Sequence, residues 1–476
     1  VSDMSKQEIN ELIDLIDGSV EISGDRVVIR DRSMLQANIH KLAEVSALGS
    51  GSKPGFARYL IHQAAAAFGI FPASIHSLYI ARGRGELPYT FTVPALNLRM
   101  MTFDTAKAVF RAARAIDAGA FIFEIARSEI GYTDQRPTEY MASILAAAIA
   151  EGYTGPVFLQ GDHFQVSAKR YASNPEAELQ GLRDLIVDAI SSGFYNIDID
   201  TSTLVDINQP TVPEQQALNC NLSAMFSAFI RTHQPEGVTI SIGGEIGEVG
   251  GHNSTEEELC AYMDGYGAEL SRLSPGAVGL SKISIQTGTS HGGVVLPDGS
   301  IAQVSVDFNT LLNLSRVARS GYQMGGAVQH GASTLPEDAF GKFVESEAVE
   351  VHLATNFQNI VYDRLPAELK AEMYAYLDNN SASERKPGMT DEQFYYKTRK
   401  NAIGPFKAQT WRLSSQVKAP ILKALEDQFT KLFHHLGIKD TRQVVQQTIQ
   451  WVDVKPGLRH FLGAAASDED VSDLAD

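Results

Sequence analysis

From Phe91 onward the chain alternates eight times between a short run rich in β-branched and aromatic residues and a stretch of helical period, and nothing else constrains its fold as much. The runs are FTVPALN, FIFEIA, PVFLQGDH, YNIDIDTS, VTISIGGEIG, GLSKISIQTGTSH, GGAVQHGAS and AVEVHLATN. Amphipathic segments such as TAKAVFRAARAIDAG and PEAELQGLRDLIVDAISSG fall between them. Strand and helix in alternation specify βαβ units and a parallel sheet. Eight such units can close on themselves, so the expected architecture is α/β, a (β/α)8 TIM barrel over residues 89–360. The strand interiors read as nearly continuous apolar runs, as for strands covered on both faces.

The flanks read differently. Residues 1–88 carry the helical patterns SKQEINELIDLID, SMLQANIHKLAEVSAL and ARYLIHQAAAAFG, split by GSGSKPG and GRGELP, and are expected to form a mostly helical N-terminal extension. The stretch from Gly49 to Gly55 lacks the Gly-Lys-Ser/Thr ending and the preceding strand of a P-loop, and reads as a flexible linker. Residues 361–466, with the polar loop NNSASERKPGMTDEQ and the amphipathic PILKALEDQFTKLFHHLG, are expected to form a C-terminal helical extension outside the barrel. The tail 467–476, SDEDVSDLAD, is acidic and nearly free of large apolar groups, so disorder is expected there.

A chain of 476 residues with 44% hydrophobic content can bury a large core. Its formal charge of -17 argues against nucleic acid or an anionic membrane as partner, since both reward basic surfaces. Cys220 and Cys260 are too few for a disulfide framework and lack the spacing of a cysteine zinc site, which fits a reducing compartment. The start is acidic and amphipathic, and no stretch approaches the roughly 18 to 20 apolar residues of a membrane helix. The expected location is the cytoplasm.

In this architecture chemistry gathers at the C-terminal ends of the strands. Those ends are unusually polar: Asn97, Asp162-His163, Asp200, Glu245, His291, His330 and Asn356. His163, His291 and His330 each follow an apolar strand, and two of them precede glycine. Three imidazoles with an open position form a common catalytic zinc arrangement, because neutral nitrogens hold the ion and leave it Lewis-acidic. The other nine histidines lack this placement, although His252 and His352 lie near the expected site. Lys282 is the candidate for a Schiff-base route, but it stands near the start of strand six, away from the catalytic end, where a structural role is expected.

These segments resemble the class II fructose-bisphosphate aldolase family, which includes tagatose-bisphosphate aldolases and their GatZ/KbaZ-like subunits. The resemblance runs over roughly residues 91 to 360 through VPALN, PVFLQGDH, IDIDTS, GGEIG, GTSHGG and QHGAS, in family order. It implies zinc or another divalent metal on His163, His291 and His330. It further implies that Asp162 exchanges a proton with the aldehyde oxygen and that Asp200 and Glu245 can hold the metal in an alternative position. Asn97 and Asn356 would contact the substrate, and Gly292, Gly331, Ser333 and Thr334 would hold a phosphate. The implied reaction is aldol cleavage of a ketose (bis)phosphate such as fructose 1,6-bisphosphate. Family members are dimers or tetramers, so a homodimer or homotetramer is expected.

The chain departs from the family pattern in three places. Gly331-Ala332-Ser333-Thr334 stands where Gly-Gly-Ser-Gly is usual, and His352-Leu353-Ala354-Thr355-Asn356 stands where strand eight reads Asn-Ile-Asp-Thr. After Gly250-Gly251 the family's proton-abstracting glutamate gives way to His252-Asn253-Ser254-Thr255, leaving Glu248, Glu256, Glu257 or Glu258 to replace it. Two alternatives follow: a metal-dependent sugar epimerase on the same scaffold, or a non-catalytic partner subunit of GatZ/KbaZ type.

Overall fold

The computed structural model describes residues 6–23, 26–247, 252–288, 296, 305–462 and 474. Eight parallel strands form the barrel: β1 Val93–Asn97, β2 Ile122–Ala126, β3 Gly155–Gln165, β4 Asn196–Asp200, β5 Ser241–Glu245, β6 Lys282–Ile285, β7 Ala327–Gln329 and β8 Glu350–Leu353. Each pairs with its neighbours in sequence, and β8 pairs with β1, so the sheet closes as expected of a TIM barrel. Closure leaves no edge within the barrel for another chain to extend.

The N-terminal extension is helical at Lys6–Leu15, Arg32–Leu48, Lys53–Ala67 and His76–Gly83, but it is not only helical. Val20–Ser23 and Arg26–Ile29 pair as an antiparallel hairpin, and Ile70–Ala73 lies parallel to the lower half of β3. Gly49 caps the helix Arg32–Leu48 through its amide to the Val45 carbonyl, and the next helix starts at Lys53. The expected flexible linker is therefore a short joint between two packed helices. The helix His76–Gly83 lies beneath the barrel: Tyr79 is fully buried with its hydroxyl on Glu350, and Arg82 donates to the carbonyls of Phe91, Glu347 and Ala348.

At the other end of the chain, helix Ser415–His435 packs between helix Thr102–Ala115 and helix Thr355–Arg364. Lys418 Nζ meets Asp104 Oδ2 at 2.6 Å, and Phe429 lies 4.8 Å from Phe357. It thus closes the outer helical ring between the first and last βα units. The acidic tail expected to be disordered lies almost wholly outside the described residues. Among the described residues no helix is long and apolar enough to cross a membrane.

The barrel interior overturns the reading of apolar strand cores. Glu124, Gln160, Asp198, Lys282 and Glu350 all point inward and are buried. Lys282 Nζ donates to Asp198 Oδ2 at 2.9 Å, to Gln160 Oε1 at 2.8 Å and to Glu350. Gln160 passes its own amide to Glu124 Oε2 and Glu350 Oε1, both at 2.8 Å. Burial alone would strip the lysine of its proton, but Asp198 and Glu350 outweigh it and raise the pKa above the ordinary value. A permanently charged, fully engaged ammonium suits the structural role and not a Schiff base.

Removing one member of a buried ion pair strands its partner and costs about 3–5 kcal/mol. The substitution Lys282→Met should destabilise the protein by about that amount in chemical denaturation. A loss below about 1 kcal/mol would mean that water or protons compensate the two carboxylates.

Candidate metal and catalytic centre

The site begins with an irregularity in β3. Gly161 pairs with Ile197 and Phe164 with Ile199, so two residues of β3, Asp162 and His163, stand opposite one residue of β4. In a regular strand successive side chains point to opposite faces. The extra residue breaks that alternation, and both Asp162 and His163 turn into the barrel, each at least nine-tenths buried. His163 pays with a φ of 40°, a left-handed conformation that costs on the order of 1–3 kcal/mol for a residue with a side chain. The Phe164 ring folds over Gly161, where any Cβ would stand 2.4 Å from it, so only glycine fits.

His163 Nδ1 lies 3.2 Å from Asp200 Oδ2, and Nε2 lies 3.9 Å from Asp162 Oδ1. Asp200 is held in turn by Gln165 Nε2 at 2.5 Å and by the Ser202 amide and hydroxyl at 3.0 and 2.6 Å. A carboxylate behind one ring nitrogen fixes the tautomer and leaves the other as a ligand. His330, at the end of β7, stands with its ring 4.3 Å from that of His163, and its Nε2 lies 3.0 Å from Ser284 Oγ and 3.8 Å from Glu245 Oε2. One donor atom each from Asp162, His163 and His330 lies within 4.8 Å of the others, close enough to share one ion. Asp200 and Glu245 stand one step behind this set.

Asp162 is gripped at both oxygens. Asn97 Nδ2 donates to Oδ2 at 2.9 Å, and His352 Nδ1 lies 3.2 Å from Oδ1. Asn97 is itself aimed by Glu129, which takes its amide at 2.9 Å and the Arg99 Nε at 2.5 Å. His352 also reaches Glu124 Oε1 at 3.1 Å and Glu350 Oε1 at 2.6 Å, and its ring lies 4.0 Å from that of His330. Burial favours its neutral form, yet Glu124 and Asp162 prevail and hold its pKa well above normal. Burial would likewise raise Asp162, but the cationic rings of His163 and His352 pull it well below the usual range. Glu124 and Glu245 go the other way: burial first, then the nearby carboxylates Asp162 and Asp200 respectively, push each up to about 8. A second set of possible donors, Glu124, Asp162, Asp198 and His352, also lies within 4.8 Å, but Lys282 already supplies a cation at Asp198.

The structure brings Asn97, Asp162, His163, Asp200, Glu245 and His330 to one end of the barrel. Gly331 follows His330 directly with a φ of 69°. Ser333 Oγ accepts the Ala354 amide at 2.7 Å, tying the β7 loop to the end of β8, and Thr334 Oγ1 is buried without a hydrogen-bond partner among the described residues. His291, Gly292 and Glu248 lie outside the described residues. Asn356 was expected at the end of strand eight, but β8 stops at Leu353 and Asn356 sits in the first turn of helix Thr355–Arg364. Of the glutamates expected to abstract a proton, Glu258 caps Thr255, and Glu256 and Glu257 are exposed. The sequence alone does not single out Glu124, Glu129 and Arg99, although Glu124 and Arg99 are lone charges in or just after an apolar strand.

The family model described as Fructose-bisphosphate aldolase class-II matches residues 89–447. The chain belongs to the class II fructose-bisphosphate aldolase family. No curated protein sequence matches it significantly. Among solved structures, the native fructuronate-tagaturonate epimerase of Cohnella laeviribosi superposes with a TM-score of 0.51 at 12% identity, covering 91% of this chain and 100% of that one. A structure described as a probable tagatose 6 phosphate kinase from Sinorhizobium meliloti 1021 also gives a TM-score of 0.51, at 15% identity, covering 78% of this chain and 96% of that one. At these identities the likeness concerns the fold.

Class II aldolases are generally metal-dependent, and the donor set fits a cation. Two imidazoles converge beside Asp162, with Asp200 and Glu245 behind them, a mixed set of nitrogen and oxygen donors of the kind a divalent ion takes. Burial lowers the pKa of His163, but Asp162, Asp200 and Glu245 outweigh it and raise it to about 10. Metal and proton therefore compete for this ring, and divalent-metal affinity of chelator-stripped protein should rise with pH across the neutral range. Asp200→Asn should weaken that affinity about 10- to 100-fold. Unchanged affinity in a competition titration would show that Asp200 does not orient His163.

Proposed function

We propose that this chain catalyses reversible aldol cleavage of a ketose phosphate into a three-carbon ketone phosphate and an aldehyde. The observation that carries this reading is the placement of Asp162, held at both oxygens and adjacent to the converging rings of His163 and His330. His163, His330 and His291 would hold zinc or another divalent ion, with Asp200 and Glu245 as the alternative carboxylates. When bound, such an ion supplies Lewis acidity at the ketone oxygen and charge against the electron pair released by cleavage.

The chain's own residues would handle the proton. In the cleavage direction the ionised Asp162 accepts the proton of the hydroxyl on the carbon that becomes the aldehyde. The bond to the neighbouring carbon then breaks, its electron pair passing toward the ketone; uptake of a proton from water at that carbon completes the three-carbon ketone, and Asp162 gives its own proton up to water. In synthesis the same carboxyl returns the proton. Asn97 lies beside Asp162 and is aimed by Glu129, so it is placed to orient the hydroxyl-bearing portion of the sugar. Gly331, Ser333 and Thr334 offer amides and hydroxyls directly after His330 where a phosphate can approach, and Gly292 would serve the same phosphate.

A second reading keeps the same groups. If the aldehyde stays bound, turns over and adds back, the outcome is inversion of one carbon and not release of two fragments. The altered strand-eight segment, with His352 and Ala354, favours it. A panel of ketose phosphates and sugar acids separates the two: cleavage yields a three-carbon ketone product, and inversion yields only an isomer.

Under either outcome Asp162→Asn should lower turnover by about 10²- to 10⁴-fold, the usual range for a general acid or base, with bound metal retained. Near-normal turnover, or loss of metal along with activity, would rule out Asp162 as the proton-exchanging group.

A further inference from the structure

Asp162 has to point one way to exchange a proton with a particular oxygen, and a carboxylate on a bulged strand has little backbone support for doing so. One of its two donors, Asn97, comes from β1. The other is His352 on β8, and it differs in how it is built. Its ring is clamped at the far side, where Nε2 meets Glu350 Oε1 at 2.6 Å, while Nδ1 is hydrogen-bonded to Asp162 Oδ1 at 3.2 Å with Glu124 Oε1 beside it at 3.1 Å. Glu350 is in turn fixed by Lys282, Gln160 and Tyr79, so the clamp rests on the buried charged layer in the barrel interior. With those three partners Glu350 has donors enough without the histidine, and satisfying it does not account for the ring.

We propose that His352 is a positioning residue: its ring, braced by Glu350, locks the carboxylate of Asp162 in the orientation that exchanges the substrate proton. The assignment rests on the reading of Asp162 given above. It makes the strand-eight departure part of the catalytic apparatus, since a ring at this position spans from Glu350 to Asp162. A displacement of a reacting group by about 1 Å can cost on the order of 100-fold in rate.

The test is a double-mutant cycle on the metal-loaded full chain, together with crystal structures. His352→Gln should lower kcat about 10- to 100-fold, leaving KM and metal content within about twofold. Added to Asp162→Asn it should cost less than about twofold more, because the group it positions is already disabled. Losses that multiply in full would overturn the proposal, as would an unchanged kcat in the single variant. The structural arm does not depend on turnover: in His352→Gln the Asp162 carboxylate should rotate away from its wild-type position. If it stays in place with its Asn97 bond intact, the proposal fails even if the enzyme is an aldolase. If wild-type protein transforms none of the sugars tested, the functional reading fails, and the structural arm still decides the positioning role. Should the glutamine variant not fold, His352→Asn is read by the same criteria.

Discussion

One ammonium group balances the middle of this barrel. Lys282 contacts Asp198, Glu350 and Gln160, and through Gln160 its influence reaches Glu124. Without a cation at that point, two carboxylates would face each other in a medium that screens poorly, and they could be neutralised only by taking up protons. With it, Glu350 stays ionised: burial works against that, but Lys282 and His352 hold its pKa near 2. Tyr79 and the helix beneath the barrel shut the layer off from the N-terminal side. The catalytic end is therefore built on a charged foundation where many barrels of this kind have a greasy one.

The second constraint is the bulge in β3. A regular strand could offer the interior either Asp162 or His163, and the chemistry proposed here needs both side by side. One additional residue solves this, and Gly161 and Phe164 make it possible, the first by lacking a side chain and the second by lying across the space left. Asp200, one strand over, then finds His163 Nδ1 within reach, so that the ring and its orienting carboxylate come from adjacent strands.

Much of this was legible in the sequence, for identifiable reasons. The eight apolar runs and their helices set the barrel, because the change of hydrophobic period survives in a single sequence. Asp162, His163 and His330 stand out since polar groups closing apolar strands have few structural reasons to be there. The interior is where the sequence misleads: FIFEIA is apolar by count but for Glu124, and nothing in such a run tells whether its one charge points at solvent, a helix or a partner across the barrel. Partners for Glu124, Asp198 and Glu350 come from strands far apart in sequence. The hairpin at Val20–Ser23 and Arg26–Ile29 hides in a segment dominated by helical neighbours, and Asn356 reads as strand because Leu353 and Thr355 continue the β-branched and apolar pattern across a helix start. His352 drew notice only for its neighbourhood, since its role depends on Glu350 two residues earlier and Asp162 nearly two hundred residues away.

The position of helix Ser415–His435 bears on how the molecule comes into being. It seals the ring against helix Thr102–Ala115, and Thr92, at the entry to β1, donates its amide to the Leu436 carbonyl at 2.9 Å. The first βα unit of the barrel thus keeps an uncovered flank until the segment from Ser415 to Leu436 has been translated. Pairings of such sequence separation are slow to form and leave intermediates with exposed apolar surface. A nascent chain of this design leaves one flank of its opening barrel unit uncovered for as long as the rest of the barrel and this helix take to be made.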